Sequence, residues 1–283
     1  MGCKGGIESD SYDFFDVIEN YINKAKDAQQ NSASGDISFY CDIFSSEWES
    51  EFGNITIAKR TCEEIVKLYK SLDNLKSETS SADYKNDCGF FNYWVNFKIA
   101  ESRSNGSDCI KDIYEGIGIE VYFTDSDIST DSDISTDSDT NYIDIYDINK
   151  DDLNKMNILH SLYEKYIELN AIIYNKIDLD KQSFLSISTA CCNDYIKASY
   201  ICNGGNHNND NRQFCTHLQS FKSKYEELYN KVDAKGTEYS NNFIKLSECK
   251  KTNTMSTVLI GTTAALIPLF GLLYKVNEIN FIF

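Results

Sequence analysis

The chain has 283 residues and a formal charge of −17, with 44 acidic against 27 basic side chains. That balance excludes a general electrostatic grip on nucleic acid or on anionic lipid heads. Nineteen Tyr and 16 Phe can build a large core, while a single proline leaves too few turn residues for a sandwich or barrel, so long helices are expected.

At the chain start, Met1-Gly2-Cys3 sets an acylatable glycine beside a palmitoylatable cysteine. Gly6 stands where myristoylation needs Ser or Thr, so myristoylation is not expected. No basic segment followed by an apolar one succeeds Met1, so no cleavable signal peptide is read. The expected route to a membrane is then the C-terminal segment or a nonstandard address.

Residues 1–123 read as the N-terminal helical half of an ectodomain. Ile55, Ala58, Cys62, Ile65, Tyr69 and Leu72 step by three and four, which places them on one helical face. Phe90–Ala100 is apolar nearly all round and predicts a central buried helix. Such aromatic stripes are read as core packing rather than as a cofactor box, and no cofactor is expected. The sequons Asn54-Ile55-Thr56 and Asn105-Gly106-Ser107 are too short to fix a compartment.

Residues 124–150 break the pattern. TDSDIS occupies Thr124–Ser129 and again Thr130–Ser135, and a third copy begins at Thr136. Asp125 to Asp147 holds eight aspartates with no lysine or arginine. Ser, Thr and Asp compete for backbone hydrogen bonds and like charges repel, so residues 124–147 are expected to be a mobile, exposed, length-variable loop. Ile143, Ile145, Tyr146 and Ile148 offer local docking at its end. Counted from Asp125, a helix–loop–helix calcium site puts Thr130 where glycine is required and Thr136 where a bidentate glutamate is required, so that reading fails.

Residues 151–250 read as the C-terminal helical half. Leu159, Leu162, Tyr166, Leu169, Ile172, Ile173 and Ile177 form one stripe, and Phe214, Leu218, Phe221, Tyr225, Leu228 and Val232 another. Asn203–Arg212 predicts a loop between them. Of the three histidines, His160 sits in an apolar stripe and is assigned a structural role, while His207 and His217 lie near Cys202 and Cys215. The irregular spacing of those four residues does not match paired zinc ligands, and no metal site is expected. No GxSxG elbow or phosphate-binding glycine loop is present, so no catalytic residue is assigned and the chain is read as a non-enzyme.

Met255–Tyr274 is twenty residues without a charge, flanked by Lys250, Lys251 and Lys275. At about 1.5 Å of rise per residue it matches a bilayer core of about 30 Å. A transmembrane helix is therefore expected over 255–275, with a short tail at 276–283. All ten cysteines precede it. Cys41, Cys62, Cys88, Cys109, Cys191, Cys192, Cys202, Cys215 and Cys249 are candidate disulfide partners in an oxidising compartment, in pairings the spacing leaves open. Reduced, buried cysteines are the alternative. Cys191 and Cys192 cannot easily bridge each other inside a helix, so each is expected to seek a distant partner.

Several passages resemble the Plasmodium interspersed repeat superfamily, particularly its VIR-type variant proteins. Tyr84-Lys85-Asn86-Asp87-Cys88-Gly89-Phe90-Phe91-Asn92-Tyr93-Trp94-Val95 is similar to that family's Cys-containing, Asn-Tyr-Trp core helix. Cys62 with Leu68 and Leu72 resembles the preceding helix, and Leu162-Tyr163-Glu164-Lys165-Tyr166 a later one. Tyr225-Glu226-Glu227-Leu228-Tyr229 and Phe243–Cys249 resemble the last ectodomain segments, and Leu273-Tyr274-Lys275 the end of the span. Val276-Asn277-Glu278 departs from the family's Thr-Pro-containing tail, and the TDSDIS repeat looks like an insertion.

The resemblance implies a noncatalytic variant surface antigen of an infected red cell, or of an exported parasite membrane compartment. Its partners are then membrane lipid through the span, and host receptors or antibodies. No binding residue carries over. The alternative is a tail-anchored intracellular scaffold or trafficking protein. On orientation two arguments conflict: ten cysteines favour an external body, whereas Lys250 and Lys251 against Lys275 favour a cytosolic one. The expected architecture is an all-α ectodomain of six to eight helices with a flexible acidic insertion, followed by one C-terminal transmembrane helix.

Overall fold

The computed structural model describes residues 12–76, 81–104, 109–119, 143, 145–174, 181–203 and 211–249. Among these residues every regular element is helical. A 3-10 turn, Asp13–Val17, leads into α1 (Ile18–Gln30), α2 (Gly35–Glu47), the four-residue α3 (Glu49–Phe52) and α4 (Ile55–Ser71). After a second 3-10 turn come α5 (Ala82–Ser102) and α6 (Ile110–Ile117). The C-terminal half holds α7 (Lys150–Tyr174), α8 (Lys181–Asn203), α9 (Arg212–Asp233), the short α10 (Thr237–Ser240) and a last 3-10 turn, Leu246–Glu248.

Local signals explain the helix ends. Asn54 caps α4, its Oδ1 accepting from the amides of Thr56 at 2.8 Å and Ile57 at 3.2 Å. The first sequon asparagine is therefore a helix cap here. Ser81 caps α5 by accepting from the Tyr84 amide at 3.0 Å, and Asn149 caps α7 by accepting from the Asp152 amide at 3.0 Å. Gly53 ends α3 in the left-handed region at φ 65°, and a Cβ there would stand 2.5 Å from Ser104 Oγ. Both the turn and the close approach require glycine.

The apolar stripes land where their periods place them. In α4, Ala58, Cys62, Ile65, Tyr69 and Leu72 are buried, while Ile55 opens the helix and is exposed. All six α9 stripe residues are buried, and so are Leu159, Leu162, Leu169 and Ile173 of α7. Ile177 lies outside the described residues. Helix α5 is buried nearly all round, with Phe90, Phe91, Tyr93, Trp94 and Val95 all in the core. Phe14 and Phe15 from the first turn close against it, Phe14 meeting Phe90 at 5.8 Å and Tyr93 at 5.6 Å between ring centroids. Burying this aromatic mass, at about 25 cal/mol per Å² of apolar surface, is the main force holding the bundle.

The helices pack in a definite order. Helix α2 lies on α4, α4 on α1 and α5, those two on α7, and α7 on α8 and α9. In this order of packing α2 comes first and α8 and α9 last.

Ile143, Ile145 and Ile148 are buried in the core, which is the local docking that the sequence offers after Asn141, while Tyr146, Asp147 and Asn149 are exposed. Cys41–Cys62, Cys192–Cys249 and Cys202–Cys215 are disulfides, and Cys88 is also disulfide-bonded. Cys109 and Cys191 are free thiols, so the expectation of a distant partner holds for Cys192 and fails for Cys191. Cys191 points into the core from α8, whereas Cys192, one residue on, reaches the C-terminal segment.

Met255–Tyr274, the tail, the TDSDIS repeats, Met1-Gly2-Cys3, Asn105 and His207 lie outside the described residues. Among the described residues no helix is long and apolar enough to cross a membrane.

Candidate functional site

His160 of α7 is enclosed by the rings of Tyr93, Trp94 and Phe97, at 5.8, 5.8 and 6.1 Å between centroids. Burial, with Lys26 and Lys165 nearby, pushes its pKa down to about 3, so the ring is neutral. Its Nδ1 stands 3.8 Å from Glu164 Oε2, a separation too long for a hydrogen bond. His217 of α9 stacks on Tyr12 and its Nδ1 lies 3.5 Å from Asp16 Oδ1; burial lowers its pKa against the opposing pull of Asp16 and Asp13. Both imidazoles are wall material between helices.

The Cys202, Cys215 and His217 group does not assemble a metal site. Cys202 and Cys215 bond to each other, tying the end of α8 to the start of α9, and His217 faces Asp16. Among the described residues no group of three or more side chains could hold a metal ion.

Buried polar groups instead stitch helices together. Asn92 and Asn96, one turn apart on α5, hold an extended strip of backbone: Asn92 Oδ1 accepts from the Tyr146 amide at 3.0 Å, and Asn96 Oδ1 from the Ile148 amide at 2.9 Å. Asn96 Nδ2 also donates to the Tyr146 carbonyl at 3.0 Å. Between them, the Asp147 carboxylate accepts from the first two amides of α6, Ile110 at 3.2 Å and Lys111 at 2.9 Å. An aspartate at a helix N-terminus satisfies orphan donors and opposes the helix dipole. One aspartate counted as loop charge is thus the cap of a helix 36 residues away.

Lys98 of α5 and Glu64 of α4 form an ion pair at 2.9 Å with side chains 8% and 6% exposed, and the ammonium lies 5.7 Å from the Trp94 ring centre. Asp194 of α8 accepts from Ser161 Oγ and pairs with Lys165, both at 2.9 Å. Burial works against its charge, yet Lys165 and Lys197 outweigh that and hold its pKa below the usual value. Asp87 accepts from the Tyr21 hydroxyl at 2.6 Å and from Asn74. These networks fix helix register and present no reactive atom to a cleft.

What the body does offer is surface. On α2 the inner side buries Ile37, Cys41 and Phe44, while the outer side shows Phe39 at 70% and Ile43 at 47% exposure, with half-buried Tyr40 beside them. The helix is apolar on both sides, unlike the ordinary amphipathic surface helix. Cys41–Cys62 and the Asp42–Lys59 ion pair at 2.6 Å lock it onto α4, so the outer face is held rigidly. Asp36, Asp42 and Glu47 border that face. The periodic reading of the sequence missed it because an apolar residue carries no sign of which side it faces. The legible signal was the density of Ile37, Phe39, Tyr40, Ile43 and Phe44 in one short helix.

At the other end, α8 and the final turn form a shallow cleft of about 240 Å³, lined by Tyr195, Ile196, Ser199, Asn203, Leu246 and Ser247. Its size is below that of most small-molecule sites.

No family model, no curated protein and no solved structure matches this chain.

Proposed function

We propose that this chain is a noncatalytic, membrane-anchored display protein of the Plasmodium interspersed repeat type, a variant antigen carried to the infected red-cell surface, and that it offers the outer face of α2 to a host protein. The observation that carries this reading is the relation between body and span. A disulfide-stapled helical body ends at Cys249, and the uncharged run Met255–Tyr274 follows within six residues. Disulfides belong to oxidising compartments, which supports an external body. Phe39 and Ile43 supply the kind of apolar anchor that concentrates binding energy, within a border of carboxylates. The matching host surface has an apolar pocket with a basic rim.

A second reading has its own observation. Lys250 and Lys251 before the span outnumber Lys275 after it, which favours a body in the cytosol and hence a tail-anchored scaffold. Surface proteolysis and thiol labelling of intact infected cells separate the two. The antigen reading expects surface protease to remove the body and expects few cysteines to alkylate without reductant. A protected body with most cysteines reactive would overturn it in favour of the scaffold. Sequencing of parasite isolates gives an independent check, because an antigen varies in its exposed residues and a scaffold does not.

A further inference from the structure

We infer that the end of α8 and the Leu246–Cys249 turn form the side of the body that rests on the bilayer, with Tyr200 set in its headgroup layer. This rests on the reading of Met255–Tyr274 as a spanning helix.

Cys249 is bonded to Cys192 on α8. The segment before it is pinned as well: Phe243 packs on Tyr225 at 4.9 Å and Phe184 at 5.3 Å between ring centroids, and the Tyr225 hydroxyl donates to the Ile244 carbonyl at 2.9 Å. The exit point is therefore fixed relative to α8. From Cys249 to Met255 is six residue steps, which at full extension reach about 20 Å. A body of this chain length is roughly 45 Å across. The tether is shorter than the body, so the side that holds Cys249 must face the membrane.

The residues on that side suit an interface. Tyr200 is 80% exposed, the most exposed large apolar side chain among the described residues. Ile196, Ser199, Tyr200 and Asn203 share one face of α8 beside the cleft. Tyrosine has an apolar ring and a polar tip, the combination that concentrates at the boundary between hydrocarbon and water. Lysines flank it. Lys245 is exposed on this side, its ammonium 4.6 Å from the Tyr229 ring centre, and Lys250 and Lys251 follow in the chain. Long ammonium side chains reach lipid phosphates from such positions. Asp194 is occupied by Lys165 and Lys197, leaving Glu248 as the exposed acid of the last turn. A chain of charge −17 cannot grip a membrane with its whole surface, so the contact is confined to this locally basic end. Phe39 lies on α2, which packs on α4 rather than on α8, and serves as the reference position.

The test uses the full chain in phosphatidylcholine nanodiscs, with benzoylphenylalanine replacing Tyr200 in one sample and Phe39 in another. Both positions are exposed, so neither replacement disturbs the core. After illumination, lipid adducts are counted by mass spectrometry, and alkaline carbonate extraction of the same protein from membranes tests the span. The inference expects lipid adducts at position 200 several-fold above position 39. Equal adducts at both, none at 200, or adducts of 200 to a second protein copy overturn it, while a carbonate-resistant chain leaves the spanning reading intact. Extraction by carbonate removes the spanning reading, and the inference falls with it.

Discussion

Asn96, in the middle of the most buried helix, accepts the amide proton of Ile148 at 2.9 Å, 52 residues away in sequence. This contact turns the end of the acidic segment into part of the core. Asn96→Leu removes it together with the donor to the Tyr146 carbonyl and strands the buried Ile148 amide. The expected loss is about 2–4 kcal/mol, or about 2–4 °C of melting temperature for each kcal/mol. Thermal melts by circular dichroism, with proteolytic nicking near residues 143–149, check this; a variant within about 0.5 kcal/mol of the parent shows that the contact is incidental.

The stripes of α4, α7 and α9 were legible because apolar side chains recur at three and four, α5 was legible as a run apolar nearly all round, and most of their described residues are core. Asn92 and Asn96 also recur at four, yet polar residues in an apolar helix carry no address for their partners. Asp147 looked like the other aspartates of the acidic run, because the backbone it caps, at Ile110 and Lys111, is brought near only by the fold. On α2 the apolar density was legible, but not which side of the helix stays open. Phe39 and Ile43 have the side chains of core residues, and only packing shows that α4 covers the other side of the helix.

Thiol chemistry separates the cysteines into classes. Among Cys41 to Cys249, native alkylation without reductant is expected to modify Cys109 alone, since Cys191 is fully buried and burial pushes its thiol pKa up. Denaturant without reductant adds Cys191 only. Removing any one of the three described bridges, which close separations of 21, 57 and 13 residues, costs about 3–4 kcal/mol. Peptide mapping that finds Cys192 or Cys202 alkylated before reduction contradicts the pairing.

Stability is expected to fall on mild acidification. The folded pKa of His160 is about 3, below its unfolded value near 6.5, so the unfolded chain takes up a proton that the folded chain refuses. The stabilising effect of a neutral His160 is fully present above about pH 6.5 and is lost progressively as pH falls toward 3. His217 shifts in the same direction. Urea midpoints between pH 7 and about 5, above the range of most carboxylates, isolate the histidines. His160→Leu should flatten that slope; an unchanged slope means the proton uptake lies elsewhere.

The outer face of α2 is expected to matter for binding and not for folding. Phe39→Ser with Ile43→Ser replaces exposed side chains, so the stability change should stay within about 0.5 kcal/mol for each substitution. Binding of the full chain to host-cell surface protein, measured by flow cytometry of the tagged protein, should drop sharply. Full retention of binding by a folded double variant moves the docking face off α2.

The Lys98–Glu64 pair supplies the sharpest contrast between single and double variants. Both side chains are nearly inaccessible, and the ammonium is also held by Glu101 at 3.2 Å and by the Trp94 ring face. Lys98→Met leaves the Glu64 carboxylate buried, with Arg60 at 3.7 Å as its nearest described cation, itself mostly in solvent. An uncompensated buried charge costs about 3–5 kcal/mol, and Arg60 sets the expectation at the lower end. Adding Glu64→Leu removes the stranded charge and fills the gap with apolar volume. The double variant should therefore recover most of the loss, since apolar replacement of a buried pair is often neutral or stabilising. Urea denaturation of the parent, both single variants and the double variant gives the coupling directly. Additive losses mean that solvent reaches the pair and that α4 and α5 are held by their aromatic packing alone.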